Sequence, residues 1–103
     1  MSGQRILVVD DDEAIRHSLS FMLRHAGFDV KTFPGGEPFL EAVDDEHVSC
    51  ILLDVRMPDI DGLTVLEELR GRGNFWPVIV LTGHGDVSTA VTAMKSGATD
   101  FLE

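Results

Sequence analysis

The run Cys50-Ile51-Leu52-Leu53-Asp54-Val55-Arg56-Met57-Pro58-Asp59 constrains the fold more than any other part of the chain. An unbroken apolar stretch leads to one carboxylate and then to a turn marked by Pro58. A short continuous apolar run fits a strand buried on both faces. Such strands belong to parallel sheets covered by helices, where the alternation of a half-exposed sheet is lost. Asp54 then stands at the carboxyl end of a central strand, the edge at which open α/β sheets bind ligands. From this stretch alone, Asp54 also suits a helix cap or turn former ahead of Pro58.

With 103 residues the chain has room for one domain. No apolar stretch approaches the roughly 18 residues of a membrane span. Met1 to Arg5 runs straight into a strand, without a signal-peptide pattern, so a cytoplasmic location is expected. The formal net charge of −10 argues against this unit gripping nucleic acid, which takes clustered Lys and Arg. It leaves open DNA binding by another domain. Cys50 is the single cysteine, so no internal disulfide forms, and its place in an apolar strand reads as core packing. The Asp44-Asp45-Glu46 run reads as solvated surface that aids solubility.

The rest of the chain repeats one pattern. Arg5 to Val9 reads as the first strand and ends in Asp10-Asp11-Asp12-Glu13. Four consecutive acids repel one another, so stability does not explain them. Asp12 suits an N-cap and Glu13 the first helical turn, which leaves Asp10 and Asp11 at the strand end without a structural task. A helix is expected from Glu13 to Ala26, with Ile15, Leu19, Met22 and Leu23 inward. Phe28 to Phe33 alternates like an edge strand, and Pro34-Gly35-Gly36 breaks it. Gly35-Gly36 lacks the spacing of either phosphate-loop fingerprint. A short helix from Glu37 to Asp44 turns Phe39, Leu40 and Val43 inward. After the Cys50–Asp54 strand and the Pro58 turn comes a helix from Leu63 to Arg70, with Leu63, Leu66 and Leu69 buried and Val65 partly so. Val78 to Leu81 is strand four, ending at Thr82. A helix from Val87 to Ser96 presents Val87, Ala90, Val91 and Met94 on one side, and Ala98 to Leu102 begins strand five.

This βαβαβαβαβ order with short connections predicts an α/β fold, a doubly wound parallel sheet in the order 2-1-3-4-5. Strand three then lies beside strand one, and Asp10, Asp11 and Asp54 converge at one edge, with Thr82 completing a polar rim. Three carboxylates so placed call for a cation. Oxygen donors with room for water suit Mg²⁺, and no Cys or His set has zinc spacing. A carboxylate beside such a metal can attack a phosphoryl group and become an aspartyl-phosphate. Asp54 is the best nucleophile, Asp11 the best direct metal ligand, and Asp10 a ligand through water or a support for Asp11.

The segments Ile6-Leu7-Val8-Val9-Asp10-Asp11-Asp12, Leu53-Asp54-Val55-Arg56-Met57-Pro58-Asp59-Ile60-Asp61-Gly62, Val80-Leu81-Thr82-Gly83 and Ala98-Thr99-Asp100-Phe101-Leu102-Glu103 together resemble the receiver (CheY-like) domain of bacterial two-component response regulators. The run Leu81-Thr82-Gly83-His84-Gly85-Asp86 with Phe101-Leu102-Glu103 is closest to the FixJ-like and DctD-like transcriptional regulators. The resemblance implies Asp54 as phosphoacceptor, fed by a partner histidine kinase. It implies Mg²⁺ held by Asp11, Asp54 and the backbone carbonyl at Arg56, with Asp10 supporting through water. Thr82 falls at the switch hydroxyl and Phe101 at the switch aromatic. Such a domain phosphorylates itself and turns over no independent substrate. The family often pairs across helix four and strand five, so the resemblance implies a homodimer of the phosphorylated parent and transcription regulated through a separate DNA-binding domain.

The family also carries a Lys in strand five, at the position just after Glu103, and a fifth helix. Neither falls within residues 1–103, so a C-terminally truncated or incomplete receiver domain is expected, with an exposed sheet face and reduced stability. Lys95, in helix four, does not take that lysine's place. Three rival readings stand against the receiver. A pseudo-receiver that binds partners without phosphate is opposed by the intact Asp10, Asp11, Asp54 and Thr82. An Mg²⁺-dependent phosphatase with an aspartyl nucleophile is opposed by the position of Asp54 on strand three. A flavodoxin-like electron carrier lacks a flavin-phosphate loop and stacking aromatics.

Overall fold

Continuous apolar strands need cover on both faces, and this requirement sets the layers. The computed structural model describes residues 4–82 and 87–102. In chain order the elements are β1 (Arg5–Val9), α1 (Glu13–His25), β2 (Asp29–Phe33), α2 (Gly36–Ala42), a 3-10 turn over Val43–Asp45, β3 (Cys50–Asp54), α3 (Gly62–Gly71), β4 (Val78–Leu81), α4 (Val87–Lys95) and β5 (Asp100–Leu102). The five strands are parallel in the order β2-β1-β3-β4-β5, as the sequence predicts. Residues 83–86 of the Leu81–Asp86 run, and Glu103, lie outside the described residues.

The two faces of the sheet build two cores. Leu7, Val9, Ile51, Leu53, Val78 and Val80 pack with Phe39 of α2, Leu66 and Leu69 of α3 and Ala93 of α4. Ile6, Val8 and Val30 pack on the other face under Leu19 and Leu23 of α1. Each such side chain taken from water contributes about 1.5–3 kcal/mol, so the central strands carry much of the apolar stabilisation. Asp12 caps α1 as expected, accepting from the Ala14 and Ile15 amides at 2.9 and 3.4 Å. Asp61 caps α3 through the Thr64 amide at 2.9 Å. Arg70 ties the lower rim together by donating to the carbonyls of Asn74, Trp76 and Gly97.

Several inward faces differ from the expected ones. Ile15 and Met22 of α1 are exposed, while Ser20 is buried. Leu19 and Leu23 instead pack against Ile6, Val8 and Val30. On α4 the buried residues are Ala90 and Ala93, and Val87, Val91 and Met94 face outward. Small side chains let that helix lie close to the sheet, and close approach outweighs the hydrophobicity of the larger residues. On α3, Val65 is fully buried and Leu63 only partly. β5 is shorter than expected, starting at Asp100 rather than Ala98.

The acidic run also behaves differently from solvated surface. Asp44 and Asp45 are exposed, but Glu46 is 6% exposed and sits between Arg5 of β1 at 2.6 Å and Lys31 of β2 at 2.8 Å. The hydrogen bond from Lys31 lowers the pKa of Glu46; burial opposes this, and the Arg5 charge reinforces it. A group with a depressed folded-state pKa contributes stability above its unfolded value, about 4.3, and loses it as pH falls through the folded value. Glu46→Gln should therefore lower the melting temperature at neutral pH, with a loss of about 2 kcal/mol for charge-assisted bonds. Thermal melts across an acid pH series check this: the variant should show a flatter acid limb than wild type.

Candidate functional site

Pairing of β1 with β3 runs through Val9 opposite Leu53, so the next residues, Asp10 and Asp54, emerge side by side at the carboxyl edge. Asp10 extends the β2 ladder by donating its amide to the Phe33 carbonyl at 3.1 Å. It is 4% exposed, and its Oδ1 accepts from the Asp12 amide at 2.9 Å. Its carbonyl accepts from the Arg16 guanidinium at 2.8 Å. Asp11 follows in a bend and is exposed. One carboxylate oxygen from each of Asp10, Asp11 and Asp54 lies within 4.8 Å of the others. The three acids expected to converge are brought together.

Electrostatics at this edge follow from crowding and burial. Burial is the main cause that raises Asp54 to about 6, with the Asp10 charge next and the Asp11 charge adding a further push. Hydrogen bonds from the Arg56 and Val55 backbone hold it back. Asp10 is also raised, chiefly by burial, against its hydrogen bond from Asp12. A cation at this position relieves both effects, and the donor set is all oxygen, which fits a hard divalent ion such as Mg²⁺.

The loop after β3 is built as much from backbone as from side chains. Val55 donates to the Leu81 carbonyl at 3.3 Å and accepts from Gly62 at 2.7 Å. A Cβ on Gly62 would collide with the Asp54 carbonyl and lie 2.9 Å from Val55 Cα, so only glycine allows this closure. Val55 and Met57 point into the core, while Arg56 is exposed. Arg56 thus stands in the loop with its side chain outside the core. Thr82 directly follows β4 and is 9% exposed; its hydroxyl donates to the Leu102 carbonyl of β5 at 3.4 Å. Phe101 pairs with Val80 and is 37% exposed. Arg16 was not anticipated as a partner of Asp10. Its position one turn into α1 behind the acidic run is the signal that points to it.

Comparison with known proteins now gives the family. A family model described as the response regulator receiver domain matches residues 6–103. The chain belongs to the response regulator receiver domain family. It is 47% identical over 98 residues to the transcriptional regulatory protein FixJ of Bradyrhizobium diazoefficiens, covering 95% of this chain and 48% of that protein. The crystal structure of FixJ-N superposes with a TM-score of 0.93 at 45% identity, covering 100% of this chain and 82% of that one. The response regulator TrrA of Thermotoga maritima, solved in complex with Mg²⁺-BeF, has a TM-score of 0.86 at 30% identity, covering 96% of this chain and 84% of that one. This receiver domain spans about half the length of the curated relatives it matches. Among the described residues, no helix is long and apolar enough to cross a membrane.

Proton binding at Asp54 links the stability of the receiver domain to pH. Its folded state binds the proton more tightly than the unfolded chain, whose value is about 4. The stability that this protonation contributes is full below that value and lost as pH rises through about 6. Without divalent cation, Asp54→Asn should therefore stabilise the domain at neutral pH, by about 1 kcal/mol once solvent screening of this half-buried group is allowed for. Near pH 4 the gain should shrink. Thermal melts at the two pH values, repeated with Mg²⁺ to neutralise the wild-type cluster, check the sign.

Proposed function

We propose that this receiver domain accepts a phosphoryl group on Asp54 from the phosphohistidine of a sensor histidine kinase and so switches a FixJ-like transcriptional regulator. The observation that carries this reading is the placement of Asp10, Asp11 and Asp54 within 4.8 Å of one another at the carboxyl edge of the sheet. Asp54 forms the new bond to phosphorus, and the P–N bond of the donor breaks with its electron pair going to the imidazole. Asp11, Asp54 and the Arg56 carbonyl would hold Mg²⁺, with Asp10 acting through water. When bound, the ion neutralises charge on the transferring oxygens. The TrrA structure with Mg²⁺-BeF supports this assignment by similarity.

Thr82 and Phe101 serve as the switch pair in this reading. Thr82 turns its hydroxyl from the Leu102 carbonyl to a phosphoryl oxygen, which biases β5 and Phe101 toward a second arrangement. Output runs through the surface of α4 and β5, where Val87, Val91 and Met94 of α4 are exposed. That apolar face suits a second phosphorylated copy of the domain. DNA contact falls to a separate domain of the whole protein, which acts in the cytoplasm.

In the full-length protein, incubation with phosphoramidate and Mg²⁺ should add one base-labile phosphoryl group, read by intact mass. Asp54→Asn should abolish it, and a modification that persists in that variant would place the nucleophile elsewhere. Sedimentation of the phosphorylated protein should show a dimer that Met94→Asp disperses without loss of phosphate. A dimer unaffected by that change would move the interface away from α4.

A further inference from the structure

We propose that Asp59 is a positioning residue for the acid site: it seats the β3–α3 loop on the Gly35-Gly36 turn and so holds the backbone that surrounds Asp54. The inference rests on the phosphoacceptor reading above. Gly35 precedes α2 and supplies no side-chain cap to that helix. The cap comes instead from across the molecule. Asp59 Oδ2 accepts from the Glu37 amide at 2.9 Å. Asp59 Oδ1 accepts from the Gly36 amide at 3.3 Å and from the Ile60 amide at 2.8 Å. One oxygen therefore grips both the start of α2 and the loop itself. These bonds outweigh partial desolvation and keep the pKa of Asp59 below the ordinary value, so the carboxylate is charged where it is needed.

The two glycines are explained by the same contact. Gly35 has φ −172°, which any residue adopts, so its lack of a side chain is a matter of space. A Cβ there would sit 2.6 Å from Asp59 Oδ2 and 3.0 Å from Oδ1. A Cβ on Gly36 would sit 2.5 Å from Ile60 Cγ2 and 2.6 Å from Val65 Cγ2. The glycine pair is the seat on which the loop rests. Between that seat and Asp54 stand Val55 and Arg56, whose backbone hydrogen bonds act on the Asp54 carboxylate, and Pro58, whose ring stiffens the link. Asp59 does not reach the acids itself; it fixes the far end of the segment that does.

The test uses the full-length protein, with Mg²⁺ affinity read from amide chemical shifts and phosphorylation by phosphoramidate read by intact mass. Asp59→Ala and Gly35→Ala, which attack the contact from opposite sides, should each weaken Mg²⁺ binding and slow phosphorylation roughly tenfold, the scale for an outer partner of a metal site. Asp59→Asn keeps one acceptor oxygen and should fall between wild type and Asp59→Ala, which serves the test should the alanine variant fail to fold. Leu40→Ala loosens α2 from within, and Gly71→Ala adds a Cβ that meets nothing within 4 Å. Both controls should keep wild-type Mg²⁺ affinity, although Leu40→Ala melts earlier. Unchanged affinity and rate in the Asp59 and Gly35 variants would overturn the proposal, as would an equal loss in Leu40→Ala, which makes the role one of stability alone. A wild-type protein that neither binds Mg²⁺ nor takes phosphate overturns the phosphoacceptor reading, and this inference with it.

Discussion

Mutual repulsion among Asp10, Asp11 and Asp54 is the constraint on which the rest of the structure depends, because carboxylates this close separate unless something rigid opposes them. The opposing element is the sheet. Val8, Val9 and Leu53 are fully buried, and the register of β1 on β3 delivers the acids to the same edge whatever their charge. Moving Asp10 away would break its amide bond to the Phe33 carbonyl and the grip of Arg16 on its own carbonyl. The strain at this edge is therefore felt as raised proton affinity rather than as altered geometry: burial first, then the Asp10 and Asp11 charges, push Asp54 up to about 6. A divalent cation at this point would offset that effect.

Much of the site's precision is main-chain precision. Asp54 is held by backbone groups of Val55 and Arg56, Val55 is pinned between Leu81 and Gly62, and Asp59 rests on two amides of α2. This is consistent with an exposed arginine at position 56 near Asp54: its peptide unit bonds the Asp54 carboxylate while its side chain stays outside the core. It also explains why glycines cluster opposite the loop. Gly62 and Gly35 remove bulk where two backbones or a backbone and a carboxylate approach closely.

The strands were the most legible part of the sequence. β3 and β4 have the expected boundaries because each is an unbroken apolar run ended by a polar residue, a signal that needs no tertiary information. The convergence of Asp10, Asp11 and Asp54 followed from strand order alone. Helix faces were less legible. On α4, Val91 and Met94 carry more apolar surface than Ala90 and Ala93, yet the alanines are buried. Which face turns inward depends on how near the helix lies to the sheet, a distance that periodicity does not encode. Glu46 was hidden for a different reason. Three adjacent acids look alike in composition, and what distinguishes Glu46 is Arg5 and Lys31, placed beside it by strand pairing. The target of Asp59 was equally remote, 22 residues back along the chain at Glu37.

The first movement of the proposed switch costs little. Leu102 O accepts twice from Thr82, through the amide at 2.9 Å and through the hydroxyl at 3.4 Å. The amide bond is the better one and belongs to the sheet ladder. When the hydroxyl swings toward a phosphoryl oxygen, the carbonyl keeps that bond, so no buried acceptor is orphaned. A long bond to a neutral carbonyl is exchanged for a charge-assisted one to a phosphate, which favours the phosphorylated arrangement. The link to β5 is the same carbonyl: any shift of Thr82 acts directly on Leu102, and through it on Phe101, the adjacent residue of a strand whose described residues are all exposed. Under the proposal, a differential interaction at Asp54 would then redistribute the populations of two arrangements of β5 through this one carbonyl.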